Sequence, residues 1–325
     1  MRLFPKRLSL LRTILALILS LGSPAAVLAY ANPILPAIRD PDTILMDGIY
    51  HMVEPGGQQG SGGFFNYRTS RDLVTWSDPI RILRQQPGID LWQGSYYQDT
   101  GGQLYFYYTA VDMQRNKAVH VVTAASPTGP FTELGMVVGG IDPYPFRDED
   151  GSLWLYYKDD REGEKGIWVQ RMASPAQRSG DPPVELLHPQ PRTFEDGGYL
   201  TVEGPTLIKR AGLYFLLYSG GPFGAPHYAV GYAVATRPDG PFIRAPNNPI
   251  LTNSRSPNVY SPGVPSVVAD GAGALWLVYR QRATSERRSP RQLAIDPLDV
   301  SLAAGGLLAA TPTRNQWVPD PVPLP

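Results

Sequence analysis

Glu203 lies in the run Leu200-Thr201-Val202-Glu203-Gly204-Pro205-Thr206-Leu207-Ile208, a single carboxyl inside an otherwise apolar, strand-like stretch. Burying a carboxylate is costly, so such a group is either paired with a cation or used for its shifted pKa. The chemistry it offers is proton transfer, and the first question is which other acids face it. Asp40, in Ile38-Arg39-Asp40-Pro41-Asp42, and Asp142, in Ile141-Asp142-Pro143-Tyr144, are the candidates. An isolated Asp-Pro pair is a common turn in which the Asp bonds local backbone, so neither persuades alone. Gathered in one cleft, however, three acids would repel one another, and burial with repulsion raises at least one pKa.

Whether they gather depends on the elements that carry them. Five segments, residues 40–52, 92–108, 142–157, 203–218 and 263–279, share one layout. Each has a Pro- or Gly-marked opening, an apolar strand, a Gly-bearing turn, and a second strand packed with Tyr, Trp, Leu and Phe. The openings fall roughly 50 to 60 residues apart, near the length of a propeller blade with generous loops. The pattern predicts an all-β chain: a five-bladed β-propeller of four-stranded antiparallel blades around a central funnel. A β-sandwich is the alternative, but sandwiches need no fivefold repeat. In a propeller the innermost strands line the channel, so Asp40, Asp142 and Glu203, each at a blade opening, converge on one funnel.

The 325 residues include 29 Lys plus Arg and 29 Asp plus Glu, so no net field draws the chain to nucleic acid or anionic lipid, and a neutral ligand is expected. There is no cysteine, hence no disulfide and no thiolate metal site. His51, His120, His188 and His227 lack ligand-like spacing, so no catalytic metal is expected. Residues 1–29 read as a secretory signal, with a basic start (Arg2, Lys6, Arg7, Arg12), an apolar stretch over 13–21 and the small exit at Ala29. That stretch falls short of the ~20 residues that span a bilayer. The expectation is a secreted or periplasmic monomer with no membrane contact after cleavage, its propeller domain covering 30–325 and ending in a Pro-rich tail over 316–325.

The motifs together resemble glycoside hydrolase family 43, the five-bladed arabinan and xylan enzymes, over about residues 32–300. The resemblance implies an inverting hydrolase of α-L-arabinofuranosyl or β-D-xylosyl linkages in plant-type polysaccharide or its oligomers. It makes Asp40 the general base, Glu203 the general acid, and Asp142 the residue that orients the acid and tunes its pKa. Inversion needs one acid to protonate the leaving oxygen and one base to activate water on the opposite face. Arg291, in Ser289-Pro290-Arg291-Gln292, resembles the last-blade Arg that reaches toward substrate or a catalytic acid. Trp92 and Phe65 are candidates to stack on the sugar, and His227 to face the funnel. Two departures matter. Where many members place a channel His, this chain has Val264, which argues against a structural calcium ion; no cofactor is required. The related invertase and levansucrase clan, which retains configuration, is disfavoured because Asp40 follows Arg39 instead of Asn. A noncatalytic carbohydrate-binding propeller is the remaining alternative, although it would have no need of all three acids.

Overall fold

The computed structural model describes residues 29–302, 308–312 and 320–321, except 58, 160, 162–164 and 256–257. The signal segment before Ala29 and most of the Pro-rich tail lie outside the described residues. Among the described residues there is no helix; five antiparallel sheets form a ring, and a two-stranded pair, Ala29–Tyr30 with Asp320–Pro321, is separate from them.

The first blade runs Asp42–Met46, Ile49–Gly56, Phe64–Ser70, Ile80–Ile82, and the second Asp90–Gln98, Leu104–Val111, Lys117–Ala124, Phe131–Gly139. In the third, Ile141–Arg147, Leu153–Lys158 and Ile167–Ser174 are followed by an outer edge split into Gln177–Arg178 and Val184–Leu187. The fourth is Val202–Arg210, Leu213–Gly220, Ala229–Ala235, Ile243–Arg244. The fifth contains Asn258–Ala269, Leu275–Arg282 and Arg291–Leu302. Its outermost position is filled from both ends of the chain: Leu35–Pro36 pairs with Gln292 and Leu293, while Leu308–Pro312 pairs with residues 298–302. Strand exchange of this kind ties the first residues to the last blade and closes the ring. Asn32 reinforces it, its amide Nδ2 donating to the Ile295 carbonyl (2.8 Å) and its Oδ1 accepting from the Ile295 N–H (3.0 Å).

Local chemistry explains the hairpins. Asp47 and Gly48 both have positive φ (50° and 72°), the two-residue turn whose twist matches its flanking strands. Ala211 and Gly212 (50° and 76°) repeat it in the fourth blade, although Ala is a poorer occupant of that region. The aromatic second strands supply the core, which is divided into five clusters, one per blade interface. Phe215, Leu217 and Tyr232 of the fourth blade, for example, pack against Leu277, Tyr279 and Ala294 of the fifth. Met52 and Tyr50 of the first pack against Val278 and Ile295 of the fifth, which completes the circuit. A sandwich would have one slab of core between two sheets; five wedge-shaped cores exclude it.

Candidate active site

Asp142 and Glu203 are delivered by innermost strands at breaks in their own ladders, while Asp40 stands just before the first blade's innermost strand, Asp42–Met46. The pairing of inner to second strand shifts register between Leu91 and Gly94, Ile141 and Tyr144, Glu203 and Thr206, and twice between Tyr260 and Ser266. Each is a β-bulge, which puts two residues against one and re-aims a side chain. In three blades the bulge contains a positive-φ residue followed by proline: Asp142 (57°), Gly204 (61°) and Val264 (53°), preceding Pro143, Pro205 and Pro265. Proline has no N–H to give a ladder, so a bulge is where a strand tolerates it. Positive φ is strained for Asp and more so for β-branched Val.

One cavity of about 380 Å³ is lined by Asp40, Asp142 and Glu203 together, along with Trp92, Gln93, Phe223, Arg280 and Arg291. Asp40 accepts from Arg280 Nε (3.0 Å) and from Arg291 Nη1 at both carboxylate oxygens (3.1 and 3.0 Å). Burial alone would raise its pKa, but the charges of Arg291 and Arg280, with the Arg291 hydrogen bonds, hold it below the ordinary value. Asp40 is therefore a carboxylate at neutral pH.

The other two acids form a different microenvironment. Asp142 Oδ2 accepts the Gly204 N–H (3.1 Å), so the backbone beside Glu203 fixes it, and the Asp142 N–H is held by Thr109 Oγ1 (3.0 Å). Burial first, and the Glu203 charge second, push Asp142 up to about 8, against a smaller lowering by Lys158. Glu203 accepts from Tyr228 OH at one oxygen (2.8 Å) and from the buried Lys158 Nζ at the other (3.2 Å). In a closely interacting acid pair the proton belongs to the pair. Glu203 keeps 16% of its side chain accessible, whereas Asp142 is buried. Asp42, buried outside this lining, is pushed up to about 7 by burial and accepts from Ser266 Oγ (3.1 Å).

Of the other expected site residues, Arg291 and Trp92 line the cavity, with the Arg115 and Lys117 cations over the Trp92 ring at 5.2 and 5.5 Å. Two expectations are corrected. Phe65 is fully buried between the first and second blades, edge-on to Phe106 at 4.9 Å between centroids, and cannot reach a sugar. Its strand alternation points it into the blade interface, where Gly94 leaves room for the ring. His227 is exposed and absent from the cavity lining; Phe223, four residues earlier in the same loop, takes that place.

Sequence reasoning missed Lys158, Tyr228, Arg280 and Phe223. The first and third carried a usable signal, since Lys158 and Arg280 are the first charged residues after an apolar aromatic strand run, at its end. Phe223 had no such mark. Val264 is buried and lines the cavity with a hydrocarbon side chain, so the fifth blade offers no ligating atom there. Among the described residues no group of three or more His, Asp or Glu is placed to hold a metal ion.

A closed five-bladed ring whose funnel gathers a carboxylate held down by arginines and a buried Asp raised beside Glu203 is the build of a carbohydrate-cleaving propeller. The family model for glycosyl hydrolases family 43 matches residues 30–301, and the chain belongs to that family. Among its relatives, the β-D-galactofuranosidase xynD of Aspergillus niger is 26% identical over 82% of this chain and 80% of its own length. Xylosidase/arabinosidase 43B of Humicola insolens is 28% identical over 70% of this chain, which spans only 44% of that relative. The crystal structure of a thermostable family-43 glycoside hydrolase superposes with a TM-score of 0.77 at 26% identity, covering 90% of this chain and 99% of that one.

Proposed function

We propose that this protein is an exported, monomeric hydrolase of α-L-arabinofuranosyl or β-D-xylosyl linkages in plant-type glycans, acting with inversion. Asp40 is the general base. Two guanidiniums keep it ionised yet leave 24% of the side chain accessible, enough to draw a proton from water. Glu203 is the general acid, passing the proton of the Asp142–Glu203 pair to the glycosidic oxygen. Asp142 orients the acid through its bond to the Gly204 N–H and keeps a proton available near neutral pH. Lys158 and Tyr228 fix the Glu203 rotamer and stabilise the carboxylate formed once the proton has left. Trp92, Phe223 and Arg291 border the space for the sugar.

The single observation that carries this reading is the opposite tuning of two acids in one cavity: Asp40 held down by arginines, Asp142 pushed up by burial and Glu203. The substrate class is supported by relatives named for furanosyl and xylosyl cleavage. Export is supported by the leader pattern over residues 1–29, and no helix among the described residues is long and apolar enough to cross a membrane. A panel of aryl α-L-arabinofuranosides, β-D-xylosides and β-D-galactofuranosides tests the substrate, with NMR of the first-formed anomer to test inversion. Turnover of the galactofuranoside alone would overturn the sugar assignment. Retention would overturn the mechanism. Binding of oligosaccharide with no release of reducing sugar would make the protein a lectin-like propeller instead.

A further inference from the structure

Beside the funnel lies a second cavity, of about 690 Å³, whose charged lining is arginine alone: Arg39, Arg282, Arg287, Arg288 and Arg291. It shares Arg39, Arg291 and Phe223 with the funnel, so the two adjoin at these residues. Arg291 is ion-paired with Asp40, and among the described residues no side-chain ion pair is seen for the other four. Arg39 gives its Nη1 to the Gly57 carbonyl, and Arg287 and Arg288 are exposed on the turn before Ser289. Arg282 is the informative one. It is 5% exposed, gives Nη1 to the Ser289 carbonyl (2.8 Å), and keeps a buried Nε with no hydrogen-bond partner among the described residues. Gly224, at φ 77°, makes the room: a Cβ there would stand 2.8 Å from Arg282 Nη2.

Like charges have been brought together around a single carboxylate, Asp40, which pairs with Arg280 and Arg291. The guanidiniums of Arg280, Arg282 and Arg291 all stand 4.4 to 5.0 Å from the centre of the Phe223 ring. Burial, then the charges of Arg280, Arg291 and Arg287, push Arg282 down to about 10, so it remains a cation under pressure to find an anion. Guanidinium forks match the oxygens of carboxylates and phosphates in bidentate pairs, and an Arg with a vacant buried N–H is half of such a pair. The chain as a whole is neutral, so this concentration of charge is local.

We propose that the arginine cavity is a binding subsite for an anionic group on the glycan, the carboxylate of a uronosyl residue lying next to the sugar held in the funnel. This deepens the proposed function and rests on it for the identity of the neighbouring sugar. The net charge led to the expectation of a neutral ligand; the proposal adds an acidic decoration to that glycan and is decided by the test below.

The test is calorimetric titration of the intact protein at low salt with trigalacturonic acid, with its neutral methyl ester, and with inorganic phosphate. The acid should bind at least about tenfold more tightly than the ester, with the gap closing at high salt as exposed guanidiniums are screened. The Arg287→Ala/Arg288→Ala variant, whose changes are at exposed positions, should narrow the gap without moving the thermal midpoint. Arg282→Met, which keeps the stem but removes the buried N–H groups, should abolish it. Equal binding of acid and ester, or a gap unchanged in both variants, would overturn the proposal. So would phosphate binding that trigalacturonate does not displace. Because these are binding measurements, a failure to hydrolyse any arabinoside or xyloside would defeat the proposed function while leaving this result readable.

Discussion

Asp40 and Asp142 begin as the same dipeptide, Asp-Pro, at the openings of two blades, and end in opposite states. Asp40 stands against Arg280 and Arg291 of the fifth blade and is held down; Asp142 stands against Glu203 of the fourth and is raised to about 8. Both are buried enough that desolvation pushes each of them up. What separates them is the charge on the neighbouring blade, so in this ring an acid's role is assigned by the blade it faces.

The contrast can be broken most severely at its ends. Asp40→Asn, which removes the carboxylate and leaves its shape, should lower kcat by on the order of 10³- to 10⁴-fold on every substrate, measured with aryl glycosides and oligosaccharides alike. Glu203→Gln should cost ~10²- to 10⁴-fold on oligosaccharides but far less on aryl glycosides with good leaving groups, because those depart without a proton. Equal losses on the two would remove Glu203 from the acid's role.

The pH profile sharpens the comparison. A base whose pKa lies below the ordinary 3.8 stays ionised until strongly acid conditions, and a pair whose Asp142 titrates at about 8 loses its proton above that, so kcat/KM should form a plateau between those limbs. Arg291→Ala removes a cation from Asp40, so the acid limb should move upward by about one pH unit or more. Asp142→Asn should take away the alkaline limb near 8 and move the loss of activity to lower pH, since the remaining acid no longer shares a proton. The smallest effects on chemistry should come from the two corrected residues. Phe65→Ala should cost about 3–5 kcal/mol in denaturant unfolding, as a fully buried ring leaves a cavity, and His227→Ala should stay within about 0.5 kcal/mol and about twofold in kcat/KM.

Much of this was legible before any coordinates. The fivefold repeat predicts the ring because hairpins are local: Asp47-Gly48 and the aromatic strand after it specify a pair of strands wherever they sit. The three acids were legible for a related reason, since a propeller sends every blade opening to one channel. Phe65 was misplaced because its neighbour Gly94 belongs to the next blade, and nothing in its own segment shows which face is covered. His227 and Phe223 share one loop, and loop curvature alone decides which of them turns to the funnel.

By itself the sequence determined the strands, the turns and the set of acids, since these follow from the alternation of side chains and the φ preferences of a few residues. Only the closed ring decided that Arg280 and Arg291 would meet Asp40 across more than 200 positions, that Lys158 and Tyr228 would hold Glu203, and that four further arginines would be left facing one another. Protonation and ligand charge depend on distances of about 3 Å between residues remote in the chain, and such distances exist only once the blades have packed.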